Sequence, residues 1–494
     1  ISSLRKMSRY HDEAKSTRFD ARARQSLTLQ QMPRHLTRDT IPAATLERLE
    51  KAFGDAVSAA EAAQAAGATI DPIHFVGEHL CNPKAPEPRS NTSFIMDAAI
   101  VKTLEVELGD ALTAWVNGKE ATHEPLKFVG NRLIDTAATT AAGTLLTRLL
   151  ADAAEPCALP VLKHSKRLKS GARGIGLPLL RAIRSFYAAH DALDKTMEQV
   201  CKEEGFGASV CTLTASTGLS LAESVARAGL RDGVDTSALV GDATAFFSYS
   251  WTGTKLGDML DAVERGIQRL EAEAGGEGRV LVWIDMFCAS QNLLGGVYRD
   301  DANHPKGSPG YKARKEDTDH IFDDALDAVS VVIFYLSPLE GEWQAPPHAY
   351  LADDRGVPLA GWIRHGPNAV TRAWCLFELA TALAAGKRLL VELAPADRAR
   401  LRDILETDPG SLDQTLADID AADAQISKVE DREYILPRVY EAGGFHGVNR
   451  QVKAALRDWL AETGRELLRT AEAEEGTGAL RLQFGLAGLF LKQA

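Results

Sequence analysis

Between Asp242 and Pro395, short apolar runs alternate with longer amphipathic ones, and this alternation restricts the fold more than any other feature of the 494-residue chain. ATAFFSYSW (243–251) is aromatic-rich and ends in hydroxyls, the pattern of a short buried strand. TGTKLGDMLDAVERGIQRLEAE (252–273) reads as a helix with Thr252 or Thr254 as N-cap and Leu256, Met259, Leu260, Val263 and Ile267 facing inward. Gly275-Gly276 ends it. RVLVWIDMF (279–287) is a second strand whose unbroken apolar content suits a parallel sheet covered on both faces. A long polar segment, 289–317, interrupts the pattern before a helix (317–329) and the strand VVIFYLS (331–337). A helix over 371–386, stopped by Gly386, and the strand KRLLVEL (387–393) complete the set. The predicted class is α/β with an open parallel sheet over 242–396, and ligands of such sheets bind beyond the carboxyl ends of the strands.

The flanks read as helical. Residues 45–80 and 103–133 form an internal repeat: Gly54-Asp55-Ala56 matches Gly109-Asp110-Ala111, Pro72 matches Pro125, and Phe75-Val76-Gly77 matches Phe128-Val129-Gly130. Each copy predicts a helix, a turn, and a second helix opened by proline, which tolerates a first turn because its missing N–H would be unpaired there. Ile73, Val76 and Leu80 make one apolar stripe, and Leu126, Val129 and Leu133 the other. Two such hairpins (41–82 and 98–136) are expected to form a four-helix bundle that presents a groove to a partner's amphipathic helix. Residues 1–40 read as an extended arm and 137–240 as a helical connector with one helix from about Pro178 to Glu204. Within it, KHSKRLKSGARGIG (163–176) lacks the Gly-Lys-Ser/Thr of a phosphate loop and reads as a solvated basic loop, and Ser220-Leu221-Ala222-Glu223 has capping-box spacing. Segment 397–470 is acidic and helical, with a stripe through Val448, Val452, Leu456, Trp459 and Leu460. The last stretch, 471–494, alternates small and large apolar residues like the first helix of a tetratricopeptide-type hairpin, so further repeats are expected to follow Ala494; the chain is likewise expected to lack its true start before Ile1.

Composition excludes several classes. A net charge of −12 argues against a general nucleic-acid binder. No apolar run approaches the ~20 residues of a membrane span. The six cysteines show no C-x-x-C spacing and His304, His320, His348 and His365 are scattered, so reduced cytoplasmic thiols and no metal site are expected. Asp285, at the end of the second strand, reads as a cap for the following turn. Glu378 is the only acidic residue between Asp354 and Glu392 and lies inside an apolar helix, where desolvation would raise its pKa.

Phe246-Phe247-Ser248-Tyr249-Ser250, Trp283-Ile284-Asp285, Ser337-Pro338 and Trp374-Cys375-Leu376-Phe377-Glu378-Leu379 together resemble the Toll/interleukin-1-receptor (TIR) family over about 150 residues. The resemblance implies a flavodoxin-like sheet. It also implies that Glu378 matches the glutamate with which the NAD-cleaving members act, stabilising a ribosyl cation or orienting the ribose hydroxyls, with NAD as substrate and no bound cofactor. Ser250, Trp251 and the 289–317 loop would then shape the nucleotide pocket, with Trp374 lining it. A structural role for Glu378, paired with Arg372 or with backbone, is the alternative. The paired hairpins resemble the Dpy-thirty motif, related to the docking fold of protein kinase A regulatory subunits, through Pro72, Ile73, Phe75, Val76 and Leu80 and through Pro125, Leu126, Phe128, Val129 and Leu133. That resemblance implies a non-catalytic scaffold in a large eukaryotic assembly such as the axoneme of a cilium or flagellum. Its partners would be an amphipathic helix and other subunits. Tandem hairpins that dock a helix make the scaffold the leading expectation and NAD cleavage the alternative.

Overall fold

A computed structural model of the chain describes residues 72–81, 125–154 and, with gaps of which 295–320 is the longest, 172–473, besides a few isolated positions. The expected arm (1–40), all but isolated positions of the first helix of each hairpin, and nearly all of the tetratricopeptide-like end beyond Ala473 lie outside the described residues; Ala471–Ala473 continue the last helix. The chain divides into two compact units, residues 1–142 and 143–494. Among the described residues no helix is long and apolar enough to cross a membrane.

In the first unit, α1 (Pro72–Cys81) and the start of α2 (Pro125–Ala154) are the two proline-opened helices of the repeat. They pack at their shared Phe-Val-Gly. A Cβ on Gly77 would stand 2.7 Å from the Gly130 carbonyl oxygen and 2.8 Å from the Ile134 side chain. Glycine is thus what lets these two backbones touch, and Val76, Leu80, Val129 and Leu133 are buried beside the contact.

The second unit is mixed α/β. Its elements in chain order begin with β1 (Arg173–Ile175), α3 (Leu177–Ala188), α4 (Met197–Lys202), α5 (Val210–Thr214), α6 (Leu221–Asp232), β2 (Val240–Asp242), β3 (Ala245–Ser248) and α7 (Leu256–Glu273). Then follow β4 (Val282–Trp283), α8 (Asp285–Cys288), α9 (Gln291–Leu294), α10 (Ile321–Ala328), β5 (Val331–Tyr335), β6 (Glu342–Gln344), β7 (Ala349–Tyr350), β8 (Ile363–His365), α11 (Ala373–Ala384) and β9 (Arg388–Glu392). The end comprises α12 (Pro395–Thr407), α13 (Pro409–Ala417), β10 (Gln425–Ile426), α14 (Asp431–Glu441) and α15 (Gly444–Ala473).

Six strands form one sheet in the order β2-β1-β4-β3-β5-β9. β4, β3, β5 and β9 run parallel, and β1 is antiparallel to both β2 and β4. The parallel strands are nearly all apolar because helices cover both faces; Phe246 stacks on Trp283 at 4.9 Å across adjacent strands. β6 with β8 and β7 with β10 form two antiparallel pairs outside this sheet.

Several sequence expectations need correction. The sheet begins at Arg173, not near Asp242: the supposed basic loop holds a strand. β1 has three residues, too few for a period, but Gly174 marks it, since a Cβ there would lie 2.8 Å from the Leu281 carbonyl carbon. The helix expected from Pro178 to Glu204 is two helices, separated by a turn with Asp191 at φ 52°. The second begins at a capping box of Thr196 and Gln199. α7 is capped by neither Thr252 nor Thr254. Its N-cap is Lys255, and its first N–H groups donate to backbone carbonyls of that same turn, Leu256 to Lys195 at 3.0 Å and Gly257 to Leu193 at 2.8 Å. The run 279–287 divides into a two-residue strand and α8. Ser220 and Glu223 do form a capping box, opening α6. The stripe through Val448, Val452, Leu456 and Leu460 is buried in α15, which packs on α11, so the 397–470 helices belong to the α/β unit.

Candidate functional site

The last residue of β3, Ser248, and the first of α8, Asp285, stand at the carboxyl ends of neighbouring parallel strands. In an open sheet this edge receives ligands, because the chain leaves in loops there. α11 passes beside it and supplies Glu378. The helix is apolar on nearly all sides, with Ala373, Cys375, Leu376, Phe377, Leu379 and Ala380 buried, and this draws Glu378 inside with them.

The Ser248 hydroxyl donates to Glu378 Oε2 at 2.6 Å. Burial pushes the Glu378 carboxyl up to about 8, the negative charge of Asp285 adds to the rise, and the Ser248 hydrogen bond opposes it. Asp285 is held by three donors: the Tyr249 hydroxyl at 2.8 Å and the Met286 N–H at 2.6 Å to Oδ1, and the Trp251 indole N–H at 2.6 Å to Oδ2. Burial raises Asp285 to about 6, against the pull of Tyr249, Trp251 and the Met286 N–H. Tyr249 itself is pushed well above its usual value, by burial first and then by the charge of Asp285. The Cys375 thiol closes the cluster with a bond to the Tyr249 carbonyl at 3.4 Å.

Two carboxyl groups, Glu378 buried and Asp285 half-buried, therefore share one neighbourhood with separated pKa values. Near neutral pH Glu378 keeps its proton and Asp285 is charged. Such a separation assigns proton-holding and charge-carrying roles within one site. The N-cap of α8 is Ile284, without a side-chain cap bond, so Asp285 is not the cap the sequence suggested; its carboxylate accepts from the Met286 N–H and from two aromatic side chains of the β3–α7 loop.

Glu378 falls at the sheet edge, while its expected companions behave differently. Ser250 is buried with its hydroxyl on the Thr252 carbonyl at 3.2 Å, and Trp251 is spent on Asp285. Trp374 donates to Asp431 Oδ2 at 2.9 Å and packs among Phe322, Phe377 and Tyr434. It belongs to an aromatic cluster that ties α10 and α14 to α11. The suggested Glu378–Arg372 pairing is replaced by Ser248, and Arg372 reaches the Ser427 hydroxyl at 2.6 Å. Of the segment 289–317, only its start is described. Ser248 and Tyr249 were visible in the sequence as strand residues; their position at the carboxyl end of β3, with Ser248 on the lone helical acid Glu378 and Tyr249 on Asp285, is the signal that marks them as site residues. Among the described residues, no group of three or more His, Cys, Asp or Glu side chains is arranged to hold a metal ion.

The docking residues divide similarly. Ile73 and Phe75 are half-buried on α1, and Val76, Leu80, Val129 and Leu133 are buried. Leu126 and Phe128 lie in α2, with side chains outside the described residues.

Comparison of the chain with protein-family models, curated proteins and solved structures finds no match.

Proposed function

We propose that the carboxyl-edge cluster is the active site of a TIR-type NAD glycohydrolase, cleaving the bond between nicotinamide and ribose. The observation that carries this reading is the buried Glu378, held by the Ser248 hydroxyl at 2.6 Å, beside an Asp285 held by three donors. A neutral Glu378 suits hydrogen bonding to ribose hydroxyls, and Asp285 supplies negative charge opposite a ribosyl cation as the bond to nicotinamide breaks. Arrival of the cationic nicotinamide ring would lower the Glu378 pKa, since an opposite charge favours the ionised form, and the site would gain a second anion as positive charge develops on the ribose. The order of the parallel strands, β4-β3-β5-β9, supports the flavodoxin-like arrangement that the family resemblance implies. Incubation of the purified chain with NAD tests the reading: nicotinamide release is expected from the wild type and is expected to fall by about 10²-fold or more in Glu378→Gln. Equal release by both, or release by neither, would remove Glu378 as a catalytic residue.

A second reading is a scaffold, and the fate of Trp374 favours it. The chain's own α14 covers that face of α11, so the aromatic meant for a nucleotide serves packing instead. In this reading the paired hairpins grip a partner's amphipathic helix, the α/β unit contacts other subunits, and the setting is an assembly of the axonemal kind.

A further inference from the structure

Among the described residues, two hydrogen bonds tie positions 250–253 of the β3–α7 loop to other segments. Trp251 donates its indole N–H to Asp285 Oδ2 at 2.6 Å. Asn368 Nδ2 donates to the Thr252 carbonyl, which also accepts from the Ser250 hydroxyl at 3.2 Å. On either side of this stretch the chain is pinned. The Cys375 thiol donates to the Tyr249 carbonyl at 3.4 Å, and the Leu256 N–H to the Lys195 carbonyl at 3.0 Å. Asn368 is buried and stands immediately before a 3-10 turn, Ala369–Thr371, that runs straight into α11. A carbonyl can only accept, so the amide turns its nitrogen to Thr252 and its oxygen toward the Thr371 hydroxyl. That hydroxyl donates between this oxygen at 3.3 Å and the Asn368 backbone carbonyl at 2.8 Å, so the side chain is held at both ends. Gly253 takes φ 79°, and a Cβ on it would meet Asn368 Nδ2 at 3.7 Å, which sets the amide directly against the turn.

We propose that Asn368 is a positioning residue that clamps the two walls of the site, the loop that places Trp251 on Asp285 and the helix that carries Glu378. Its side chain bonds to Thr252 and Thr371, not to either carboxyl group, so it acts on Asp285 through Trp251. Two torsions separate the indole ring from its backbone, so a backbone fixed at Thr252 limits where the indole N–H can point. With the clamp, the loop presents the ring to Asp285. Without it, the ring's own bond to Asp285 is what remains to hold residues 250–253 against the neighbouring segments. The loss is not made good locally: the Thr252 carbonyl keeps the Ser250 hydroxyl, which belongs to the same loop and anchors it to nothing outside. The other wall is tied by the same side chain, because the turn that opens with Asn368 continues into α11. Its Thr371 and Arg372 N–H groups donate to the Asn368 and Ala369 carbonyls at 3.0 Å and 3.3 Å. The clamp stands on these contacts alone, whereas its bearing on turnover rests on the NAD reading.

The full chain, isotope-labelled on its tryptophan indole nitrogens, tests the clamp by the solvent exchange of the Trp251 indole N–H, assigned by its loss in Trp251→Phe. Trp374, whose indole N–H donates to Asp431 at 2.9 Å outside the clamp, is the internal reference and is assigned in the same way. In Asn368→Ala the Trp251 indole is expected to exchange several-fold faster, while Trp374 keeps its wild-type rate. Thr371→Val keeps the side-chain volume and removes the hydroxyl that orients the amide. It is expected to give a smaller rise at Trp251, and it replaces Asn368→Ala as the deciding variant where that chain does not fold. A wild-type rate for Trp251 in the deciding variant overturns the proposal, because the ring then holds without the clamp. Equal rises at Trp251 and Trp374 also overturn it, because Asn368 would then only support the fold. Where the wild type releases nicotinamide from NAD, Asn368→Ala is expected to lower kcat by about tenfold or more with a smaller change in KM, and an unchanged kcat would separate the clamp from the reaction. No release by the wild type would count against the NAD reading and leave the indole rates to decide the clamp.

Discussion

Glu378, a buried acid with a raised pKa, leaves a signature in stability. Its folded pKa of about 8 lies above the ordinary 4.5, so the native state holds a proton that the unfolded chain releases. This contribution is complete below about pH 4.5 and is lost as pH rises toward 8, at up to about 1.4 kcal/mol per pH unit. Asp285 acts in the same direction over a lower window, from 3.8 to about 6. Between about pH 6 and about pH 8, urea midpoints of the α/β unit are therefore expected to fall in the wild type and to stay flatter in Glu378→Gln. Ser248→Ala removes the bond that favours the Glu378 anion, and is expected to move the upper end of the decline to higher pH. An identical slope in wild type and Glu378→Gln would show that this proton is not linked to folding.

Among the elements, α1 and α2 show how a small residue decides packing. Gly77 lets two backbones approach, so Gly77→Ala puts a methyl against the Gly130 carbonyl and Ile134 and should cost on the order of 1–3 kcal/mol. Gly143 lies in the same α2 with nothing within 4 Å of a built Cβ, and Gly143→Ala should stabilise by about 0.5–1 kcal/mol through helix propensity. Circular-dichroism melts of the two variants should move in opposite directions. A shift of the same sign in both would show that helix propensity, not the backbone approach, governs the contact. α7 gives the complementary case: its apolar stripe was legible, and its start was not. Its first N–H groups are capped by carbonyls about sixty positions earlier in the chain, which no local spacing encodes.

For the whole molecule, the two units predict separable responses. Val76 is fully buried, so Val76→Asp places an unpaired carboxylate in the packed helices of the first unit. Limited proteolysis should then cut the region before residue 142 readily and spare the α/β unit. Any helical partner captured by the wild type should be lost with the same variant. Cleavage of both units together would show that they fold as one.

The sequence alone determined the parts that depend on local periodicity. These are the α/β class, the core strands and α7, the helix that carries Glu378, the capping box at Ser220 and the proline-opened repeats, because burial on one face or on both leaves a period in the order of residues. The singular position of Glu378 was also written there, as one acid in an apolar helix. Only the tertiary structure decided what depends on meetings between distant segments. Arg173–Ile175 is a strand because β2 and β4 flank it, not because three residues prefer to extend. Ser248 and Asp285 become site residues because adjacent parallel strands end together beside α11. Trp374 goes to packing because α14 folds back over it. Each of these outcomes rests on contacts between residues tens to hundreds of positions apart, and a hydrogen bond or a buried ring leaves no mark on the spacing of its neighbours.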